Sequence, residues 1–288
     1  MRKMLRHLVF QTPAFISGAD QNVPEIRSAS VRGALRWWFR LLGGTKTEEA
    51  ELFGKVHGGT VASKVIVRVK NPHIDNNLEK LPCKQNTTNG YLTYFAAVSG
   101  NEDGIFRTEA RHYIGVGSSF DLEIVERFPV MEVRIWNLLE EAVTALCRLG
   151  TLGYRSTRGF GMLAEKTPPP LQEFETWAAS LKSRGIYLFR IRDRPQETSA
   201  RSVQVALGDI LKDLRHEEDA FGERYSSKNS EAQAFGSADP RSASALRLCP
   251  VKTRETVVPV LMYSDNACGV SSLLDVVKRY GLTHLDAF

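Results

Sequence analysis

The order of secondary-structure signals predicts an α+β chain built from two tandem ferredoxin-like domains with antiparallel sheets, the first carrying an insertion. Three observations carry this expectation. Strand and helix patterns follow one another as βαββαβ across residues 1–165 once an insertion at about 99–130 is set aside. The run Lys166-Thr-Pro-Pro-Pro170 then forms a stiff linker. A second series, βαββα with a weak last strand, fills 171–288. The halves share negligible sequence identity, so duplication rests on element order alone.

Leu5 to Gln11 alternates and reads as the first strand. After an irregular stretch containing Pro13, Gly18 and Pro24, Ser28 or Ser30 supplies an N-cap for a helix over Val31–Leu42, stopped by Gly43-Gly44. A short helix from Thr47 to Phe53 ends at Gly54. Ser63 to Lys70 places Val65, Val67 and Val69 on one face and Lys64, Ile66, Arg68 and Lys70 on the other, the mark of a strand. A third strand is expected at Tyr91–Val98, and β character within the insertion at Ser119–Val125. Met131 to Leu149 carries apolar residues at helical spacing, and a glycine-punctuated loop, Gly150 to Gly161, leads to a strand at Leu163 and Ala164. The second half reads as a helical segment at Leu171–Ser183, strand Ile186–Ile191, helix Val203–Arg215, strands Ala245–Val251 and Val257–Tyr263, helix Ser271–Tyr280 and a poor strand near Leu282. Residues 216–244 are charged, then rich in Ser, Ala and Gly, and read as a mobile loop.

Composition sets limits. Of the 288 residues 42% are hydrophobic and 25% charged, which excludes wholesale disorder. The longest apolar run, Val257–Tyr263, is far short of the roughly 20 residues that a membrane span requires. Arg6 and His7 interrupt the stretch where an export signal would have its apolar core, so none is expected. Four dispersed cysteines, at 83, 147, 249 and 268, form neither a disulfide framework nor a zinc half-site, and Cys147 falls on an apolar helical pattern. A reducing, cytoplasmic setting follows, with no metal and no cofactor implied. The charge is uneven: residues 1–72 hold 12 Lys/Arg against five Asp/Glu, and the rest of the chain 26 against 28. Such a basic first quarter suits a partner rich in phosphate.

The segment Ser30-Val-Arg-Gly-Ala-Leu-Arg-Trp-Trp-Phe-Arg40 concentrates that charge. At about 100° per residue, Arg32, Arg36 and Arg40 form one stripe, while Val31, Ala34, Leu35, Trp38, Leu41 and Leu42 form an apolar face. Gly33 lies beside the stripe, where a missing side chain permits close backbone approach. Trp37 borders the apolar arc, placed either to stack on a base or to cover the core. The planar fork of arginine suits phosphate oxygens. No acid within 31–47 supplies a helical pair at i,i+4, so the guanidiniums are expected to be available to an external partner. Arg27, Lys46, Lys55, His57 and Lys64 extend this basic region as candidate RNA contacts.

The loop Leu149-Gly-Thr-Leu-Gly-Tyr-Arg-Ser-Thr-Arg-Gly-Phe-Gly161 is the second candidate. Successive amides in a glycine-rich turn can form an anion-binding nest, with Gly159 and Gly161 in the backbone and Arg155 and Arg158 adding charge. Tyr154 and Phe160 are of the type that stacks on unpaired bases. The loop follows a helix and lacks a Gly-Lys-Ser/Thr ending, so it is not a mononucleotide P-loop.

A glycine-rich loop after the second helix of a ferredoxin-like domain resembles the RAMP superfamily of CRISPR proteins. Thr12-Pro-Ala-Phe-Ile-Ser-Gly-Ala-Asp20, Pro24-Glu-Ile-Arg27, Arg32-Gly-Ala-Leu-Arg-Trp-Trp-Phe-Arg40, Glu51-Leu-Phe-Gly54 and Ala62-Ser-Lys64 narrow it to the subunit-one family of type III-B (Cmr) effector complexes, over residues 8–70 and 150–163. Phe235-Gly-Ser and Arg241-Ser-Ala-Ser-Ala-Leu-Arg-Leu248 resemble it weakly. The resemblance implies a subunit of an RNA-guided ribonucleoprotein. Its partners would be guide RNA near the 3′ end, target RNA and the other Cmr subunits, and its apolar second domain would serve for protein docking. In such assemblies base pairing reads sequence while protein holds backbone and shape.

Some RAMP proteins are metal-independent endoribonucleases, and Val56-His57-Gly58-Gly59 offers the best-placed histidine for that alternative. No His-Glu-x-x-His, Asp-Asp pair or Gly-Asp-Asp motif is present. The expected function is therefore RNA holding without cleavage, with the arginine helix and the glycine loop lining one cationic trough.

Overall fold

A computed structural model describes residues 1–20, 23–56, 58–75, 88, 92–93, 112–128, 132–191, 199–216, 237–238, 241–242, 244–264 and 282–284. The chain divides into two compact units, one of Met1–Glu79, Arg111–Tyr154 and Phe160–Pro168, the other of Lys80–Ala110, Arg155–Gly159 and Pro169–Phe288.

In the first unit, β1 (Lys3–Phe10) is followed by α1 (Ser28–Leu41), α2 (Lys46–Phe53), β2 (Val65–His73), β3 (Ser119–Glu126), α3 (Val133–Leu149) and β4 (Leu163–Glu165). The sheet order is β2-β3-β1-β4, with β3 antiparallel to both β1 and β2 and β4 antiparallel to β1. This is the ferredoxin-like order. Alternation in β1 and β3 buries Met4, Leu8 and Phe10 with Phe120, Leu122 and Ile124. The two helices pack on each other, burying Val31, Leu35 and Trp38 of α1 and Leu139, Val143 and Leu146 of α3.

Three details depart from the expectations. The third strand of this sheet is Ser119–Glu126, inside the stretch read as an insertion, and it lies between β1 and β2. Of the expected strand Tyr91–Val98, only Leu92 and Thr93 are described, and both are helical. The helix α1 begins a turn early, with Arg27 at the N-cap and no side-chain cap. Ser28 is drawn elsewhere, because its hydroxyl accepts from the Val69 amide on β2 at 3.0 Å.

The face of the sheet away from the helices carries a cluster of ions centred on β3. Glu123, 3% exposed at the centre of β3, receives Lys3 at 2.8 Å, Arg68 at 3.2 Å and Lys70 at 3.3 Å. Its pKa is lowered to about 2, first by the Lys3 hydrogen bond, then, against burial, by Lys70 and Arg68. A carboxylate held below its ordinary value stabilises the fold above that value and loses the contribution as pH falls toward the native one. Acid titration should therefore show a stability loss between pH 4.5 and about 2 that is smaller in Glu123→Gln, where only the other paired carboxylates remain to titrate. Circular dichroism of the melting transition against pH would measure it. Beside this cage, Asp121 accepts from Asn71 at 2.7 Å and lies 2.6 Å from His7 Nδ1. Those two contacts lower the Asp121 pKa, with Asn71 contributing most.

The second unit contains α4 (Leu171–Ser180), β5 (Ile186–Ile191), α5 (Ala200–His216), the paired short strands β6 (Ser237–Ala238) and β7 (Arg241–Ser242), then β8 (Arg247–Lys252), β9 (Val257–Ser264) and β10 (Leu282–His284). Its four-stranded sheet runs β10-β5-β9-β8 and is antiparallel throughout. When each sheet is counted from its own first strand, the two orders are the same. The expected helix Ser271–Tyr280 and most of the 216–244 stretch lie outside the described residues. Cys147 and Cys249 are both buried, and burial pushes the Cys249 thiol up to about 12. Among the described residues, no helix is long and apolar enough to cross a membrane.

Candidate nucleic-acid interface

The arginine stripe of α1 faces α2. A capping box fixes the start of α2: the Glu48 amide donates to Thr45 Oγ1 at 3.2 Å, and the Thr45 amide donates to the Glu48 carboxylate at 2.9 Å. Phe53 of α2 then meets Phe39 of α1 edge to face at 6.1 Å, both fully buried. Phe39 lies outside the apolar arc expected for α1 and is buried because α2 covers a second side of the helix. The same packing brings Glu49 to the guanidiniums. Arg36 Nε donates to its carboxylate at 2.5 Å, and Arg40 Nη1 donates to both oxygens at 2.8 and 2.7 Å.

This corrects the expectation that the arginines have no internal carboxylate. The i,i+4 rule sees acids on the same helix only, and Glu49 comes from the next one. Burial pushes the Glu49 carboxyl up, but the hydrogen bonds and charges of Arg40 and Arg36 outweigh it and hold the pKa below the ordinary value. One carboxylate neutralises one of two guanidiniums, so the pair keeps a net positive charge. The Arg36 and Arg40 side chains remain 35% and 45% exposed. Arg32 donates from Nη2 to the Phe53 carbonyl, and its pKa is lowered by burial first and by Arg36 second.

An open groove of about 620 Å³ runs beside the stripe, lined by Arg32, Arg36, Phe53, Gly54, Lys55, Val56, Thr60, Val61 and Ser63. Three expected site residues, Arg32, Arg36 and Lys55, therefore share one concavity, and among the described residues no acid lines it. Lys55 is exposed, and its backbone is paired in both directions with Val61, at 3.1 and 3.0 Å. Gly54 makes that pairing possible with φ of +78°, where a Cβ would meet the Val61 carbonyl at 2.8 Å.

The other candidates near α1 are more scattered. Gly33 is exposed, and a Cβ there would meet open space. Trp37 is half-buried, edge to face with Trp38 at 4.8 Å. Lys46 is exposed at the start of α2. Lys64 is half-buried, 3.5 Å from Glu51, and Arg27 is exposed with Glu25 at 3.9 Å. His57 lies outside the described residues.

The glycine loop behaves differently from its expected role as a nest and stacking platform. Phe160 is 0% exposed and packs on Phe15 at 5.1 Å between ring centroids, so it is a core residue. Gly161 adopts φ of +69°, its amide donates to Pro13 at 2.8 Å and its carbonyl accepts from Leu152 at 2.9 Å. A Cβ on Gly161 would overlap the Leu152 carbonyl. The amides of Gly150, Leu152, Tyr154, Arg158 and Gly159 also donate to backbone carbonyls, which takes them out of an anion nest. Tyr154 is half-buried, bridged through its backbone to Phe15.

The segment 155–159 belongs to the second unit. There Arg155, in a left-handed conformation, donates to the Leu92 carbonyl at 2.9 Å. Arg158 is 7% exposed, and its carbonyl accepts from Gln204 at 2.8 Å. Gly159 is buried, and a Cβ would press on Leu248 and Gln204 at 3.1 and 3.2 Å. Burial removes Arg158, Gly159, Phe160 and Gly161 from an exposed surface. Among the described residues, the lining of the groove comes from α1, α2 and the 54–63 segment.

The fold recurs in known proteins. The profile of the RAMP superfamily matches residues 7–164, more than half of the chain. The CRISPR system Cmr subunit Cmr1-2 of Pyrococcus furiosus is 30% identical over 173 residues, which span 53% of this chain and 89% of that protein. The crystal structure of Pyrococcus furiosus Cmr1 in its apo form superimposes with a TM-score of 0.62 at 19% identity, covering 99% of each chain. A chain of the type III-B Cmr-beta complex bound to cognate target RNA gives a TM-score of 0.54 at 11% identity, covering 97% of this chain and 98% of that one. At those identities the two structures share the fold. Together with the profile and the sequence relative, they place the chain in the RAMP superfamily, within the Cmr1 family.

Proposed function

We propose that this chain is an RNA-holding subunit of a type III-B CRISPR effector complex, acting in antiviral defence without cutting the RNA itself. In this reading it holds single-stranded guide RNA near its 3′ end and helps to capture target RNA, while the second unit docks on other Cmr subunits. Membership of the Cmr1 family supports a place in such a complex. The observation that carries RNA holding is the groove that gathers Arg32, Arg36 and Lys55 with no acid in its lining among the described residues. The open sheet face is a weaker rival for phosphate, because Lys3, Arg68 and Lys70 there converge on Glu123.

Phosphate contacts release counterions, so affinity falls with salt by about 0.7 log units per log unit of salt for each single-strand phosphate neutralised. Three contacts give a slope of about −2. Fluorescence anisotropy of a short single-stranded RNA with the full chain, titrated from low to high salt, would measure it. Affinity that ignores salt, or no binding at all, points to a protein adaptor and overturns the reading. RNA incubated with the pure protein in chelator should stay intact. Cleavage lost in His57→Ala would establish the endoribonuclease alternative.

A further inference from the structure

We infer that the open face of the first sheet, where Lys3, Arg68 and Lys70 ring Glu123 beside Leu5, docks an acidic segment of a neighbouring protein subunit. This rests on the chain's place in a multi-subunit complex and goes further, since it gives the first unit a protein contact of its own.

Strand register puts these residues on one surface. Leu5 and Arg68 pair with Glu123 from either side, His7 and Lys70 pair with Asp121, and Lys3 pairs with Val125. The residues between them, such as Met4, Leu122 and Ile124, turn to the core. The three cations anchor on one buried carboxylate, yet 54% of the Lys3 side chain, 53% of Arg68 and 49% of Lys70 stay exposed. An ammonium carries three donors and a guanidinium five, so a bond to Glu123 leaves each with donors for a second acceptor above the sheet. Lys166 adds a fourth cation, exposed next to His7, whose carbonyl accepts from the Lys166 amide at 3.0 Å. Glu123 and Asp121 offset only part of this charge. The excess is positive, and it draws an anionic partner.

The rest of the surface decides the kind of anion. A single-stranded nucleic acid carries charge on every residue and gains from rings on which its bases stack. Among the described residues, β1, β2 and β3 place no Phe, Tyr or Trp on this face, and both acids sit on β3 in the interior of the sheet. A protein segment can space its carboxylates over the cations and set an aliphatic side chain between them. Leu5, 54% exposed next to Glu123, is the apolar contact that such a segment would cover. A single exposed leucine is ordinary. This one has Lys3 before it and His7 after it on the same face, an apolar centre inside a polar rim. Glu123 already holds three of the cations in place, which lowers the ordering cost of docking.

The test assembles the full chain with the other subunits and the guide RNA of its type III-B complex, then adds a carbodiimide, which condenses a lysine amine with a carboxylate. Mass spectrometry should find Lys3 or Lys70 joined to an Asp or Glu of a neighbouring subunit. Lys3→Gln combined with Lys70→Gln, which leaves Arg68 on Glu123, should weaken incorporation about fivefold, the effect of two half-exposed ion pairs. Leu5→Ser, at an exposed position, should weaken incorporation as well and keeps the test open if the double variant unfolds. Neither variant should alter the affinity of the isolated chain for a short single-stranded RNA. Lys3 and Lys70 joined only within their own chain, in a complex that assembles, overturn the docking face while the chain's place in the complex stands. A loss of RNA affinity in the double variant comparable to the loss of incorporation assigns the face to RNA and likewise overturns it. A chain that never enters the complex overturns both.

Discussion

Phe160→Ala should lower the stability of the first unit by about 3–5 kcal/mol, the usual cost of emptying a fully buried phenylalanine site. Phe160 is 0% exposed against Phe15, which in turn meets Tyr113 edge to face at 6.1 Å. Removing the ring leaves a cavity where the 13–16 segment, the 113–114 segment and the glycine loop meet. Their backbone bonds, Ala14 to Ile114 at 3.0 Å and Tyr154 to Phe15 at 2.9 Å, hold the walls apart and limit collapse. Phe160→Leu should recover much of the loss. Urea denaturation would measure both. If the ring served instead as a stacking platform, Phe160→Ala would leave stability unchanged and weaken RNA binding by about 1–3 kcal/mol.

Arg32→Ala combined with Arg36→Ala should weaken single-stranded RNA binding by about 100-fold near physiological salt. Hydrogen bonds to charged groups contribute about 1.5–3 kcal/mol each. Partial exposure and screening place the pair toward the lower end. Two lost phosphate contacts should also flatten the salt slope by about 1.4. Arg36→Lys separates charge from geometry: it should keep the slope and lose affinity, because lysine offers a point charge in place of a fork. Anisotropy titrations at three salt concentrations would distinguish these outcomes. An unchanged slope in the double variant would remove the stripe from the interface.

Much of the fold is legible in the sequence because its elements announce their own period. Ile186–Ile191 is a strand with the expected bounds, and Val31, Leu35, Trp38 and Leu42 of the apolar arc of α1 are buried as its spacing implies. The central strand Ser119–Glu126 also alternates, with Phe120, Leu122 and Ile124 against Asp121 and Glu123. What its sequence hides is that Glu123 is buried, since the cations that allow it come from Lys3, 120 residues earlier in the chain, and from Arg68 and Lys70, 55 and 53 residues earlier. The groove shows the same limit. The arginine stripe is visible from local geometry, but Glu49 reaches it only through the packing of α2, which depends on where Thr45 starts that helix. In the glycine loop, composition reveals a backbone of unusual conformation. It does not reveal whether the freed space admits an anion or, as at Gly161, another strand of the same chain.

The hydroxyl of Ser28 has a consequence for assembly. An edge strand with a free row of amides is a template on which another chain can continue a sheet. On β2 the Val69 amide is already taken by Ser28, and the pairing with β3 shifts register between Lys70 and His73. Both features blunt this border against strand addition, so a neighbour that meets the protein here must recognise side chains instead of prolonging its backbone ladder.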